Sequence, residues 1–263
     1  MYLSAEHLEI ANQAIMETFE HTSVAWQSIP HWNTGDPSQS MVPAEDVTAA
    51  AASVIAIDGA LVDFDVTLAV ATAPTHESLL SKVVNGTVAL ARKVDDAVVP
   101  VLRAKGIPDL PLDDSTPQTI LEDLIDARAR LENEGFRAPC CLITNTGGLK
   151  TLSQLNGGYS ILNSLLDGAN INSLHRVELL EDPGPPAPAN PARAIMLGRR
   201  HRIAHGGAAD ASPGEEPVDL AVSVPPSLEV AGENGDNKIA LAIRIRYALR
   251  VKDSGGLVTL TTP

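Results

Sequence analysis

Residues 115–180 read STPQTILEDLIDARARLENEGFRAPCCLITNTGGLKTLSQLNGGYSILNSLLDGANINSLHRVELL, and the order of elements in this stretch sets the fold class. Ser115 and Thr116 offer capping hydroxyls, and Pro117 has the fixed φ suited to a first helical turn. Apolar residues recur at Ile120, Leu121, Leu124, Ile125, Ala127 and Leu131, which is helical spacing, until Gly135 supplies a stop. Cys140 to Thr144 is an apolar run of strand length after Pro139. Asn145 and Gly147-Gly148 turn the chain into a short helix through Leu149, Leu152 and Leu155. Gly157-Gly158 breaks that helix, Tyr159 to Leu166 reads as another, and Arg176 to Leu180 as a strand. The stretch is a tightly connected α/β unit that carries no catalytic group.

Upstream, residues 4–20 form an amphipathic helix: Ser4 is its N-cap, and Leu8, Ala11, Ile15 and Phe19 make one stripe. Trp26 to Pro43 holds Pro30, Pro37 and Pro43 with little apolar periodicity, so an extended arm is expected rather than core. Trp26 and Trp32, the only tryptophans, sit there. Packing on their own domain and docking on a neighbouring subunit account for them equally well. Residues 46–73 read as two strands around the turn Asp58-Gly59, with Val62, Phe64, Val66, Leu68 and Val70 on one face. Thr75 then caps the longest helix, which runs towards Lys105 with a kink or end expected near Val98 because Pro100 removes a backbone bond. Gly106 to Asp114 reads as a proline-bearing linker.

Downstream, Glu181 to Pro191 is a stiff proline loop, Ala194 to Leu197 a buried strand, Arg199 to Arg202 a basic cluster and Ala208 to Pro217 a polar loop. The clearest strand pattern closes the chain. Ile239, Leu241, Ile243, Ile245, Tyr247, Leu249 and Val251 share one face, with Arg244, Arg246, Arg250 and Lys252 on the other. Asn234-Gly235-Asp236 turns this strand against Val218 to Val230, and a last strand runs from Leu257 to Leu260.

Composition narrows the function. The chain has 263 residues and net charge -14, and residues 1–81 hold eleven Asp and Glu but no Lys or Arg. A protein that grips DNA by neutralising phosphates is basic, so sequence-specific DNA binding is disfavoured. No run of eighteen apolar residues predicts a membrane span, and residues 1–20 lack the cations of a secretory signal. Phosphate-cradling, dinucleotide, nucleophile-elbow and zinc-protease signatures are missing, so no catalytic residue, cofactor or metal site is expected. His201 and His205 read as a loop pair, and the adjacent Cys140 and Cys141 as buried structural thiols. The Thr144–Gly148 loop reads as an ordinary cap. Asp95-Asp96 and Asp113-Asp114 read as solvated or turn residues. The four cations of the last long strand fit phosphates, carboxylates of the same chain or carboxylates of a neighbour.

Two sequences within the chain carry a resemblance: Leu131-Glu-Asn-Glu-Gly135 ending a helix, and Leu155-Asn-Gly-Gly-Tyr159 after a strand and a short helix. Together they resemble the A domain of encapsulin shell proteins and tailed-phage major capsid proteins, which share the Johnson fold. The ending Val218-Asp-Leu-Ala-Val222, Gly235-Asp and Ile245-Arg-Tyr-Ala-Leu-Arg-Val251 is similar to the encapsulin pattern of a strand, an acidic turn and an aromatic-containing final strand. The resemblance implies an α+β phage major-capsid fold. Its parts would be an N-terminal arm (1–43), an E-loop hairpin (44–74), a P-domain spine helix (75–112), an A domain (113–217) and P-domain return strands (218–263). It also implies a non-enzymatic shell subunit that assembles with itself into hexamers and pentamers of an icosahedral capsid. That capsid would enclose double-stranded DNA without sequence specificity, form in the host cytoplasm and recruit scaffolding, portal or decoration proteins. Trp26, Trp32, Phe64, Arg244, Arg246 and Arg250 are the subunit-contact candidates. Residues 44–74 hold no lysine, so a Lys–Asn crosslink from the E-loop is not available. No long N-terminal scaffolding extension is read, which implies a separate scaffold or none. An encapsulin enclosing a cargo enzyme is the alternative within the fold. A small-molecule-binding or enzymatic α/β domain is the alternative outside it, and the exposed arm argues for assembly.

Overall fold

The structure is a computed structural model and describes residues 3–180, 191–201, 216–234 and 236–263. Helices α1 (Ala5–Thr22) and α2 (Val24–Ser28) lead into strands β1 (His31–Asn33), β2 (Met41–Pro43), β3 (Val54–Ala56) and β4 (Asp58–Thr67). The single turn α3 (Leu68–Ala71) and the 29-residue α4 (Glu77–Lys105) follow. Next come β5 (Ile107–Pro111), α5 (Pro117–Asn133), β6 (Phe136–Thr144), α6 (Thr146–Leu152), β7 (Leu155–Asn156) and β8 (Tyr159–Ser160). Then α7 (Leu162–Gly168), β9 (Ile171–Arg176), β10 (Ala192–His201), β11 (Val218–Asn234), β12 (Lys238–Val251) and β13 (Leu257–Thr261) complete the chain. Two compact units result: residues 1–43, 54–96 and 220–249 form the first, and 44–53, 97–219 and 250–263 the second.

The second unit is built on the sheet β5-β13-β10-β6-β9. Thr116 and Thr119 close a capping box at the start of α5. Ile120, Leu124, Ala127 and Leu131 then recur on one face and bury against Cys140, Leu142, Met196, Val258 and Leu260. Each large aliphatic side chain so buried contributes about 1.5–3 kcal/mol. Gly148 lets α6 close on the sheet, because a Cβ there would stand 2.6 Å from the Arg193 carbonyl oxygen. Gly157 and Gly158, with φ of 60° and 88°, turn β7 into β8.

Several expectations in this unit change. The segment 106–114 is not a linker throughout: Ile107–Pro111 is a strand paired with β13 alone. Proline is tolerated there because an edge strand needs donors on one side only. The strand expected at Arg176–Leu180 lies earlier, at Ile171–Arg176, parallel to β6, and Glu178–Leu180 is a 3₁₀ turn. Tyr159 belongs to the β7–β8 hairpin, and the following helix begins at Leu162. The last strand, expected at Leu257 to Leu260, spans Leu257–Thr261 and pairs with β10 and β5.

The first unit has the sheet β1-β11-β12-β4. Ser4 caps α1 by accepting from the His7 N–H, and Ala11, Ile15 and Phe19 are its buried stripe. Gly86 of α4 stands against Ile243 and Phe64, where a Cβ would lie 2.9 Å from Ile243 Cδ1. The hairpin expected at Asp58-Gly59 does not form. Every residue of β4 from Asp58 to Thr67 is partnered on β12, while β3 pairs with β2. The strand alternation ends at Thr67, and Leu68 and Val70 belong to α3.

Helix α4 continues through Pro100 to Lys105, so of the kink or end expected near Val98 the end does not occur. A proline inside a helix costs about 3 kcal/mol. Val98, Val99 and Leu102 beside it are fully buried, and at about 1.5–3 kcal/mol each they outweigh that loss. The proline run 181–190, the Arg202 and His205 ends of the basic cluster and histidine pair, the loop 208–215 and Gly235 lie outside the described residues.

Candidate assembly surfaces

Apolar side chains remain exposed in two small ribbons. In β2–β3, Met41 stands opposite Ala56 and Pro43 opposite Val54. All four are exposed, Met41 at 57% and Val54 at 65%. Val42 and Ile55, between them, turn inward and pack with Ile57, Ala221, Ala248 and Trp32. The inward face is explained by this core, and the outward face is as apolar as the inward one. In β7–β8, Leu155 and Tyr159 are 68% and 81% exposed. Single exposed apolar residues are ordinary, but the outer face of β2–β3, made wholly of them, marks a surface suited to association.

The tryptophans separate. Trp26 is buried in its own unit, edge-to-face with Phe19 at 5.4 Å and stacked on His31 at 3.8 Å. Burial holds the His31 imidazole below its ordinary value, offset only in part by Glu20. The segment from Trp26 is therefore not all extended arm. It begins with α2, whose N-terminus is held by Asp95 of α4. Asp95 accepts from the Ser23 hydroxyl at 2.8 Å, the Val24 N–H at 3.0 Å and the Ala25 N–H at 2.9 Å. Asp95 is thus a buried cap rather than a solvated acid, and the hydroxyl it accepts from lies 72 residues away in the chain. Trp32 lies on β1, half-buried over the core of the β2–β3 ribbon. Phe64 is half-buried against α4.

The cations of β12 find partners within the chain. Arg244 pairs with Glu229 at 3.0 Å, both well exposed. Arg246 donates to the Pro37 and Gln39 carbonyls at 2.8 and 3.2 Å. Arg250 makes two parallel bonds of 2.6 Å to the carboxylate of Asp219 and a third contact to Glu45 at 3.2 Å. Lys252 lies 2.9 Å from the same aspartate. Burial pushes the Asp219 carboxyl up, but hydrogen bonds and charge from Arg250 and Lys252 outweigh it and hold the group below its ordinary value. Of the partners considered for these cations, carboxylates of the same chain hold three. The sequence pattern places Arg250 and Lys252 on the face opposite the apolar one, and both are only 4% exposed there. Sequence reasoning missed the pairing of Asp219 and Glu45 because their partner Arg250 is distant in the chain.

The remaining chemistry is structural. Burial pushes the Cys140 thiol up to about 11 and raises Cys141 as well. Asn145 caps α6 by accepting from the Gly148 N–H at 2.8 Å and donates to the Ala192 carbonyl at 3.0 Å. Asp114 pairs with Arg193, and Asp123 accepts from the Asp113 N–H. Among the described residues no three His, Cys, Asp or Glu side chains converge as metal ligands, and no helix is long and apolar enough to cross a membrane.

No protein-family model matches this chain, and no curated protein matches it. Solved structures do. A virus-like particle from Pyrococcus furiosus is similar with TM-score 0.64 and 16% identity, over 97% of this chain and 100% of that one. The capsid of an empty GTA (gene transfer agent) particle is similar with TM-score 0.57 and 11% identity, over 92% and 90%. Mycobacterium phage Bobi gives TM-score 0.53 and 15% identity, over 92% and 90%. At such identities the likeness is one of fold, and it extends along nearly the whole chain.

Proposed function

We propose that this chain, which has the α+β fold of phage major capsid proteins, is a structural shell subunit that assembles with itself into a closed icosahedral capsid around double-stranded DNA. The observation that carries the reading is the end-to-end fold match to particle-forming proteins, covering 97% of this chain and 100% of the virus-like-particle chain. The apolar outer face of β2–β3 and the Leu155–Tyr159 hairpin supply the self-adhesive surface such a subunit needs.

In this reading residues 1–43 are the arm, 44–74 the E-loop, 75–112 the spine helix and its exit, 113–217 the A domain and 218–263 the return. Phe64, Arg244 and Arg246, half-buried or exposed, are contact residues between subunits. Trp26, Trp32 and Arg250 act from within by holding the surfaces that meet. Hexamers and pentamers, scaffolding, portal and decoration partners, and assembly in a host cytoplasm belong to the same reading. A shell around a protein cargo, as in encapsulins, is the second reading, and the full-length match to a virus-like particle favours keeping it.

Electron microscopy of the purified full chain, with the ratio of absorbance at nucleic-acid and protein wavelengths, tests both. Uniform closed shells are expected, and nucleic acid inside them selects the capsid. Shells holding a co-purifying enzyme select the second reading. A particle that stays small at every salt and protein concentration removes both.

A further inference from the structure

Three adjacent strands of the second unit bring Cys141, Ser173, His175 and Arg199 together on one side of the sheet. Cys141 of β6 stands opposite Leu197 of β10 and opposite Ser173 of β9, and His175 follows two residues along β9, opposite Ile143. The register of β10 on β6 shifts between Gly198 and Arg200, and the contact made by Arg199 to Ser173 places its side chain with this cluster. It donates through Nη2 to Ser173 Oγ at 2.5 Å. Its positive charge acts on both Cys141 and His175. Strand β9 is an edge strand, which puts the cluster at the border of the sheet.

What distinguishes the cluster is a pair of buried donors, Arg199 Nε and His175 Nε2, left without partners beside a cation that has no carboxylate among the described residues. Arg128, Arg176, Arg193, Arg244 and Arg250 each pair with a carboxylate. Arg199 pairs with none among the described residues. Its Nε and the His175 Nε2 are both buried and without a hydrogen-bond partner. A buried N–H left unpaired costs about 1–3 kcal/mol, and a charged one more. A guanidinium presents its donors as a planar fork that fits one carboxylate, and a neutral imidazole in its Nε2–H tautomer adds a donor.

We infer that Arg199, Ser173 and His175 form a binding site for a carboxylate supplied by a second copy of this chain. The inference rests on the self-assembly reading above. The ligand chemistry follows from composition. With 33 Asp and Glu against 19 Lys and Arg, carboxylates are what an arriving copy presents. Asp63 and Asp65, exposed on β4, are examples that form no ion pair among the described residues. A nucleic-acid backbone is the poorer fit, because gripping successive phosphates takes several cations and this site has one.

The test uses the full chain and its Arg199→Gln and Arg199→Lys variants at low ionic strength. The concentration at which particles form is read by light scattering, in chloride and in acetate at equal ionic strength, and duplex-DNA binding is read by anisotropy. Arg199→Gln should raise the assembly concentration about tenfold, the worth of one charge-assisted pair. The melting temperature of the unassembled chain should not fall, because the substitution also removes the unpaired buried N–H. Acetate should raise the wild-type assembly concentration and leave that of Arg199→Gln where it is. Arg199→Lys keeps the charge without the fork and should fall between. If Arg199→Gln does not fold, a wild-type assembly concentration for Arg199→Lys together with unchanged acetate sensitivity overturns the inference. Assembly of Arg199→Gln at the wild-type concentration, or a wild type indifferent to acetate, overturns it while leaving the shell reading intact. Loss of DNA binding with assembly unaltered also overturns it, in favour of phosphate. Absence of particles from the wild type removes the shell reading itself.

Discussion

Asp95 and Asp219 are both buried, at 6% and 3% exposure, yet they carry opposite electrostatics. Asp95 is surrounded by neutral donors: one hydroxyl and two backbone N–H groups at the start of α2. Burial wins there, and the carboxyl is raised above its ordinary value despite those bonds, with Asp96 adding a small push the same way. Asp219 is also pushed up by burial, but the hydrogen bonds and charges of Arg250 and Lys252 reverse the result. Removal from water does not decide whether a buried acid is content as an anion; a matching cation does.

The sharpest way to break this comparison is to remove Asp219. Asp219→Ala takes the carboxylate from buried Lys252 and leaves buried Arg250 with the exposed Glu45, and breaking such a cluster costs about 3–5 kcal/mol. Denaturant midpoints measure it, and a loss under about 1 kcal/mol would mean that Arg250 and Lys252 reach water. Asp95→Ala should cost less, about 2 kcal/mol, because it removes a helix cap and leaves neutral donors unpaired. Asp95→Asn keeps an acceptor oxygen and discards the misplaced charge, so its cost should stay below about 1 kcal/mol. Asp219→Asn should cost nearly as much as Asp219→Ala.

Acid titration of stability separates the two further. The depressed Asp219 contributes stability that is complete above about pH 4, the unfolded value, and is lost as pH falls through its folded value. The raised Asp95 works in reverse: its contribution is complete below about pH 4 and is lost as pH rises through its folded value. The difference in stability between wild type and Asp95→Asn should therefore shift in favour of Asn as pH rises from 4. Without such a shift, Asp95 is not raised. The smallest effect is expected at the exposed pair: Arg244→Ala should cost under about 1 kcal/mol, less still in high salt.

Much of this architecture was legible from residue spacing. The stripe Ala11, Ile15 and Phe19, the capping hydroxyls before Pro117 and the alternation from Ile239 to Tyr247 all signal structure through neighbours a few residues away. Failures occurred where the decisive partner was distant. Asp58-Gly59 carries a turn signal, but β4 gains more from ten residues of pairing with β12 than from a short local hairpin. The prolines of 106–114 read as a loop because their missing donors matter in a central strand; at the edge beside β13 they do not. Arg199, His175 and Ser173 offered no motif at all, since their meeting depends on three strands lying side by side.

Most helices and strands and their capping residues were determined by sequence alone, because caps and the periods of 3.6 and 2 are properties of adjacent residues, while the fold class was read through a family resemblance. Which polar groups lie inside was decided only by tertiary structure. Arg246 and Arg250 occupy the same face of the same alternating strand, four residues apart. One stays half-buried on two backbone carbonyls, and the other is enclosed with Asp219. The alternation specifies a side of the sheet. What covers that side is set by residues far away in the chain, and burial and charge follow from the cover.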